Sequence, residues 1–184
     1  MPSLGCFAVA VGTLVNLGCG APLPPLAKDE AEKNCRAQAQ AMSDAAVNGK
    51  WETMADATHP DVIREMGGRK KFLQELARFP DEMRTKYKMT LVDCRCGVPS
   101  DIIEHKGGMY SVVNAPLKFR TTDGKTFLGA SAYVALSTDG GRTWKFVSGG
   151  GTKDADRVGI KKFLPDLPDD LVLPKGQPPL LVDE

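Results

Sequence analysis

Apolar and polar positions alternate most regularly over residues 109–148, and turn residues divide that stretch into three strands. Asp123-Gly124 reads as a two-residue hairpin turn between alternating runs, because its Gly tolerates positive φ at little cost. A turn that tight sets Phe119 opposite Leu128, Leu117 opposite Ala130, Ala115 opposite Ala132 and Val113 opposite Val134. The second turn, from Ser137 to Trp144, sets Leu136 against Trp144 and Val134 against Phe146. The expected product is one apolar wall made of Val113, Ala115, Leu117, Phe119, Leu128, Ala130, Ala132, Val134, Leu136, Trp144 and Phe146. Behind it lies a mixed face carrying Tyr110, Tyr133 and Phe127. Side chains alternate with period two, so a slip of one residue would exchange the two faces.

An apolar wall must be covered, and helices upstream are the expected cover. Residues 28–47 are rich in Ala, Glu, Lys and Gln, which favour helix, and Ala31, Cys35, Ala39, Met42 and Ala46 form a narrow stripe on it. Asn48-Gly49 stops this helix. A short helix over residues 51–57 presents Trp51 and Met54 inward. Thr58-His59-Pro60 interrupts the pattern, since the residue before a proline is pushed out of helical geometry. Residues 61–66 read as one further turn. A third helix is expected over residues 69–78, with Phe72, Leu73 and Leu76 facing in and Pro80 ending or kinking it. Residues 88–94 and 101–105 read as strands. A short amphipathic helix follows over residues 154–163, then a tail whose Pro165, Pro168, Pro174, Pro178 and Pro179 favour extended chain. The fold class is α+β, with the domain over residues 28–164 and a Pro-rich extended tail over 165–184.

The start of the chain bears on location. Leu4 to Cys19 is an uncharged apolar run, too short and Gly-rich for a membrane span, and it resembles a signal peptide over residues 1–20. A Pro-rich linker over residues 21–27 follows. Leu17-Gly18-Cys19-Gly20 resembles the lipid-modification site of bacterial lipoproteins, with Asn16 where those sites favour Leu. A lipid anchor on Cys19, simple secretion and a retained anchor stay open, and each places the domain outside the cytoplasm. Of the remaining cysteines, Cys35, Cys94 and Cys96 read as buried small residues or as a bridge from Cys35 to one of the other two. A metal centre lacks partners, as only His59 and His105 exist to help. The 184 residues carry a net charge of +1, without the clustered basic face that nucleic-acid binding needs.

Several stretches carry a resemblance. They are Trp51-Glu-Thr-Met54, Thr58-His59-Pro60 with Val62-Ile63 and Met66-Gly67-Gly68, and Ser131-Ala-Tyr133 leading into Ser137-Thr-Asp-Gly-Gly-Arg-Thr-Trp144-Lys-Phe146. Phe163-Leu-Pro165 and Leu171-Val-Leu-Pro174 close the set. Together they resemble a group of bacterial proteins in the nuclear transport factor 2-like (NTF2-like) superfamily. The resemblance implies a cone, three N-terminal helices packed on a strongly bent antiparallel sheet. It does not fix a function, because that superfamily contains isomerases, cyclases, dehydratases and noncatalytic binding modules. Ser137 to Trp144 also resembles the Asp-box turn of sialidases and other propellers, where its role is structural. One copy cannot build a propeller.

The candidate chemistry is sparse. Asp56 and His59 are the closely spaced acid and imidazole on the helical side, and His59 could serve as a general base. Ala115, Ala130 and Ala132 form a small-residue patch beside Trp144 and Phe146. Either the Ala-rich first helix packs closely there, or a cavity opens that Trp51 and Met54 would also line. The expected function is an extracytoplasmic, noncatalytic domain that binds a small apolar ligand or a protein partner, needs no cofactor, and could dimerise through the mixed face. The alternatives are a cavity enzyme of the isomerase or dehydratase type using Asp56 or His59, and an envelope structural module on a lipid anchor.

Overall fold

The computed structural model describes residues 23–149 and 156–182. The apolar run ending at Cys19 lies outside the described residues. The class is α+β, with helices α1 (Lys28–Val47), α2 (Trp51–Ala57), α3 (Pro60–Glu65) and α4 (Arg69–Lys86) ahead of strands β1 (Met89–Cys94), β2 (Ile103–His105), β3 (Gly108–Asn114), β4 (Leu117–Thr121), β5 (Thr126–Gly129), β6 (Ala132–Ser137) and β7 (Lys145–Gly149). Helix α5 (Arg157–Lys161) and strand β8 (Leu180–Val182) complete the order. Among the described residues no helix is long and apolar enough to cross a membrane.

Four helices precede the strands where three were expected. The turn after Pro60 is a helix in its own right, because Pro at the first helical position needs no N–H partner and His59 caps it. Helix α4 does not stop at Arg78 but runs through Pro80 to Lys86. Pro80 is exposed, and the turn after it is supported by an Arg84–Asp81 pair at 2.6 Å and by the Thr85 hydroxyl donating to the Asp81 carbonyl at 2.7 Å. A proline there acts as the first residue of a fresh turn within a continuous helix.

The strands make two four-stranded antiparallel sheets, β2-β3-β6-β7 and β1-β4-β5-β8, in place of one bent sheet. β3–β4 and β5–β6 are the arms of one long hairpin that folds at Ala115-Pro116 and Ala130-Ser131. Ala115 N–H still donates to Ser131 C=O at 2.8 Å across the fold, while Pro116 has no N–H to continue the ladder.

Both hairpin registers differ by one residue from the expected ones. Phe119 pairs with Phe127, Val113 with Tyr133, and Phe146 with Ala135. At the first turn Thr121 N–H donates to Lys125 C=O at 2.9 Å, so the loop holds three residues, and Gly124 takes φ +87° to close it. The second turn holds one more residue than expected, with Gly140 and Gly141 both at positive φ. The two slips cancel for the outer strands, so the strands between the two turns, β5 and β6, are reversed. Val113, Ala115, Trp144 and Phe146 face the helices as expected, joined by Tyr133 and Ala135. Ala132, Val134 and Leu136 face the other way.

That second face is also covered. Ile160, Leu164, Leu167 and Leu171 pack on Tyr110, Val112, Ala132, Val134 and Val147. The segment after residue 164, expected as an extended tail, therefore supplies a second core. Arg157 holds it by donating to the carbonyls of Pro168, at 2.6 Å, and Leu171. Beyond Leu171 the chain is extended and returns to pair β8 with β5. The face offered for a homodimer is thus taken up: Tyr110 lies under the C-terminal segment, Tyr133 points to the helices, and Phe127 belongs to the other sheet.

Helix α1 lies directly on the first core through Ala31, Cys35, Ala39 and Met42. Polar neighbours fix its position. Asn34 donates to the carbonyls of Gly141 and Arg142 at 2.7 and 2.6 Å, Gln38 donates to Arg142 C=O at 2.7 Å and accepts from Trp144 N–H at 2.9 Å. The loop they grip has the Asp-box arrangement. Asp139 Oδ1 accepts from Arg142 N–H, Thr143 N–H and the Ser137 hydroxyl, while Trp144 Nε1–H donates to Gly141 C=O at 3.0 Å beneath it.

Candidate functional site

The expected small-residue patch is divided, with Ala115 in the first core, Ala132 in the second and Ala130 outside both. Ala115, Ala132 and Phe146 are completely buried, as are Ala31, Ala39 and Ala135. Met54 packs against the first core, and Trp51 is half-buried at the start of α2. Ala130 lies apart from them, in a cleft of about 480 Å³ at the fold of the hairpin, with Asn114, Pro116, Ser131, Val172 and Leu173. Of the three, helix α1 packs closely over Ala115 alone, while Ala132 is buried on the opposite face under the C-terminal segment.

The three cysteines are free thiols buried in the first core, and no bridge joins Cys35 to Cys94 or Cys96. Ser43 Oγ sits 3.3 Å from Cys96 Sγ and 3.1 Å from the Tyr133 hydroxyl, so these polar atoms satisfy one another. Burial pushes the Cys35 thiol up to about 12, which removes its nucleophilic form near neutral pH. Among the described residues no three His, Cys, Asp or Glu side chains gather as a metal site.

Asp56 and His59 do not form a catalytic pair. Asp56 is exposed and bonded to Arg69 at 2.8 Å. His59 is half-buried and pinned to the sheet, its N–H donating to Phe146 C=O at 2.9 Å beside a Thr58–Phe146 bridge. Its Nδ1 accepts from Asp61 N–H at 3.4 Å, which caps α3. An accepting Nδ1 requires that the proton of neutral imidazole sit on Nε2. Burial pulls the His59 pKa below its ordinary value, with Arg64 and Lys145 adding to the effect and Asp61 opposing it. His59 is therefore a neutral group whose Nε2–H has no partner among the described residues.

That imidazole lines a groove with three arms that meet at Thr138. The largest, about 750 Å³, runs beside the Gly107-Gly108 turn and includes His105, Met109, Asp139 and Arg142. The second, about 280 Å³, is walled by Leu136, Phe163, Leu164 and Pro165 and carries His59, Tyr110, Lys106 and Asp166. The third, about 490 Å³, lies between His59, Pro60, Thr143 and Lys145. Tyr110 is positioned by the turn, for a Cβ on Gly108 would lie 3.1 Å from its ring. Lys106, at φ +48°, reaches Asp166 at 2.7 Å and ties the turn to the C-terminal segment. Burial, with Asp166 nearby, raises the Tyr110 pKa and Lys106 opposes it; among the described residues no hydrogen bond engages the Tyr110 hydroxyl.

Sequence reasoning had singled out His59, had placed Leu136 on the wall facing the helices, and had left Lys106, Thr138 and Asp166 unassigned. They come from distant stretches, and only the corrected register of β6 together with the packed C-terminal segment brings them together. Comparison with known protein families, with curated proteins and with solved structures finds no match.

Proposed function

We propose that this protein is an exported, noncatalytic binding domain of the NTF2-like type that takes a small ligand in the surface groove around Thr138. The observation that carries the reading is the contrast between a filled interior and a groove with uncommitted hydrogen-bonding groups. Ligand sites are concave and combine apolar walls with polar groups that fix orientation, and the arm between Leu136 and Phe163 sets Leu136, Phe163, Leu164 and Pro165 among His59, Tyr110, Thr138 and the charged Asp61, Lys106 and Asp166. Catalysis has less support. Asp56 is solvated and neutralised by Arg69, and His59 presents a proton where a general base needs a lone pair. The order of helices followed by a folded antiparallel hairpin supports the superfamily assignment.

Export rests on the apolar run from Leu4 to Cys19. The mass of the mature N-terminus tests it, since acylation at Cys19 adds mass that cleavage alone does not. The binding reading is tested by screening the isotopically labelled protein against a broad fragment library by amide chemical shifts. Ligands should perturb residues 105–110 and 136–139 together. Shifts confined to the buried residues Ala115, Ala132 and Phe146 would overturn the groove and restore an internal site.

A further inference from the structure

The arm of the groove between His59 and Tyr110 is specific enough to name a ligand class. Leu136, Phe163, Leu164 and Pro165 give it an apolar wall, and Asp61, Lys106, Thr138 and Asp166 line it as well. Two groups on it are uncommitted, His59 Nε2–H and the Tyr110 hydroxyl, and both can donate. The charged groups on the arm are already matched: Lys106 pairs with Asp166 at 2.7 Å and Asp61 pairs with Arg64 at 2.7 Å. An added anion would meet two carboxylates and one engaged ammonium. An added cation would have to break an existing pair and would find two donors facing it. We propose that this arm binds an uncharged molecule with a small apolar body and a carbonyl-type hydrogen-bond acceptor, held jointly by His59 Nε2–H and the Tyr110 hydroxyl. The inference rests on the groove being the binding site and adds to it the chemistry of the occupant.

The geometry also explains why these two groups remain free. His59 is held at its backbone by Phe146 C=O, and its Nδ1 accepts from Asp61 N–H at 3.4 Å, which leaves Nε2–H as the open donor. The Tyr110 ring lies close to Gly108, where a Cβ would come within 3.1 Å of it, and its hydroxyl is in the neighbourhood of Lys106 and Asp166. Donors pre-set in this way lose little freedom when an acceptor arrives. An acceptor that replaces water on both gains direct hydrogen bonds, while a ligand without one leaves both donors dry.

The test uses the purified protein and four probes of similar size: methyl benzoate, ethylbenzene, benzoate and benzylamine. Methyl benzoate should shift the amides of Gly107, Gly108, Leu136 and Thr138 and bind more tightly than the other three. Tyr110→Phe removes one hydroxyl. His59→Asn keeps an acceptor for Asp61 N–H, since Asn is a good helix cap, and deletes the second donor. Each should weaken methyl benzoate about 2- to 10-fold and leave ethylbenzene unchanged, with melting temperature as the check on folding. Benzoate or benzylamine binding as tightly as the ester would overturn the uncharged class. Equal affinity for ester and ethylbenzene, or no effect of either substitution, would overturn the role of the two donors. If the broad library finds groove ligands but methyl benzoate is not among them, the class falls and the groove stands. If nothing in the library shifts the groove, both fall.

Discussion

Gly141→Ala is the most direct probe of how the fold is held, because two separate costs meet at that position. Gly141 has φ +87°, and a Cβ built there would lie 2.6 Å from the Cβ of Ala31 and 3.3 Å from its Cα. The left-handed backbone costs an alanine about 1–2 kcal/mol. The contact at 2.6 Å cannot persist, so α1 or the Asp-box loop must shift. The loop is gripped by Asn34 and Gln38, so the shift strains those bonds, and overpacking of this kind costs about 1–3 kcal/mol. Together the loss should be roughly 2–5 kcal/mol, a large part of the stability of an ordinary domain. Gly124→Ala is the control, as it has the same φ of +87° with nothing within 4 Å of the added Cβ, and it should cost about 1–2 kcal/mol. Urea unfolding of the two variants and the parent measures the difference. A double-mutant cycle with Ala31→Gly should show a coupling of about 0.5–3 kcal/mol. If Gly141→Ala and Gly124→Ala lose the same amount, the close seating of α1 on the loop is refuted.

Other consequences can be checked with the same preparation. Leu167→Ala, in a segment whose sequence reads as a tail, should cost about 2–5 kcal/mol, because Leu167 is only 2% exposed within the second core; a loss below half a kcal/mol would show that the segment is not packed there. The thiols of Cys35, Cys94 and Cys96 should resist alkylation at pH 8 in the native protein and react in urea, since burial raises all three pKa values; rapid native labelling at any of them would contradict the packing. His59 has a folded pKa below the ordinary 6.5, chiefly through burial. Its contribution to stability is therefore complete above pH 6.5 and is lost as pH falls through the lowered value, where protonation favours the unfolded chain. His59→Asn should flatten the pH dependence in that window, and an unchanged profile would mean that another group controls it.

What the sequence disclosed depended on whether one face or two were buried. The stripe of Ala31, Cys35, Ala39 and Met42 was legible because the opposite side of α1 is polar. Strand β6 was not, for Ala132, Tyr133, Val134, Ala135 and Leu136 are apolar at every position, and such a run accepts either register. The choice fell to the turns, where Asp123-Gly124 fits a two-residue loop or the end of a three-residue one. A further sign was present in Asn34 and Gln38, polar residues beside the small-residue stripe, whose amides reach the second turn. They mark where α1 meets a loop with carbonyls to satisfy.

The C-terminal segment shows the same principle at the site itself. Its prolines argue correctly against regular helix or a central strand, but they do not prevent packing. Leu164, Leu167 and Leu171 recur at spacings of three and four, which is the period of a buried helical stripe, and turns with bonds from Leu167 N–H to Leu164 C=O and from Leu171 N–H to Pro168 C=O deliver them to one face. That face covers the reversed side of β6, so the register of the sheet and the packing of the tail depend on each other. It also places Phe163, Leu164, Pro165 and Asp166 as one wall of the arm that holds His59 and Tyr110. A chain cut at residue 164 would lose Pro165 and Asp166 from that wall and expose the second core, so the binding reading requires the segment that composition alone reads as an extended tail.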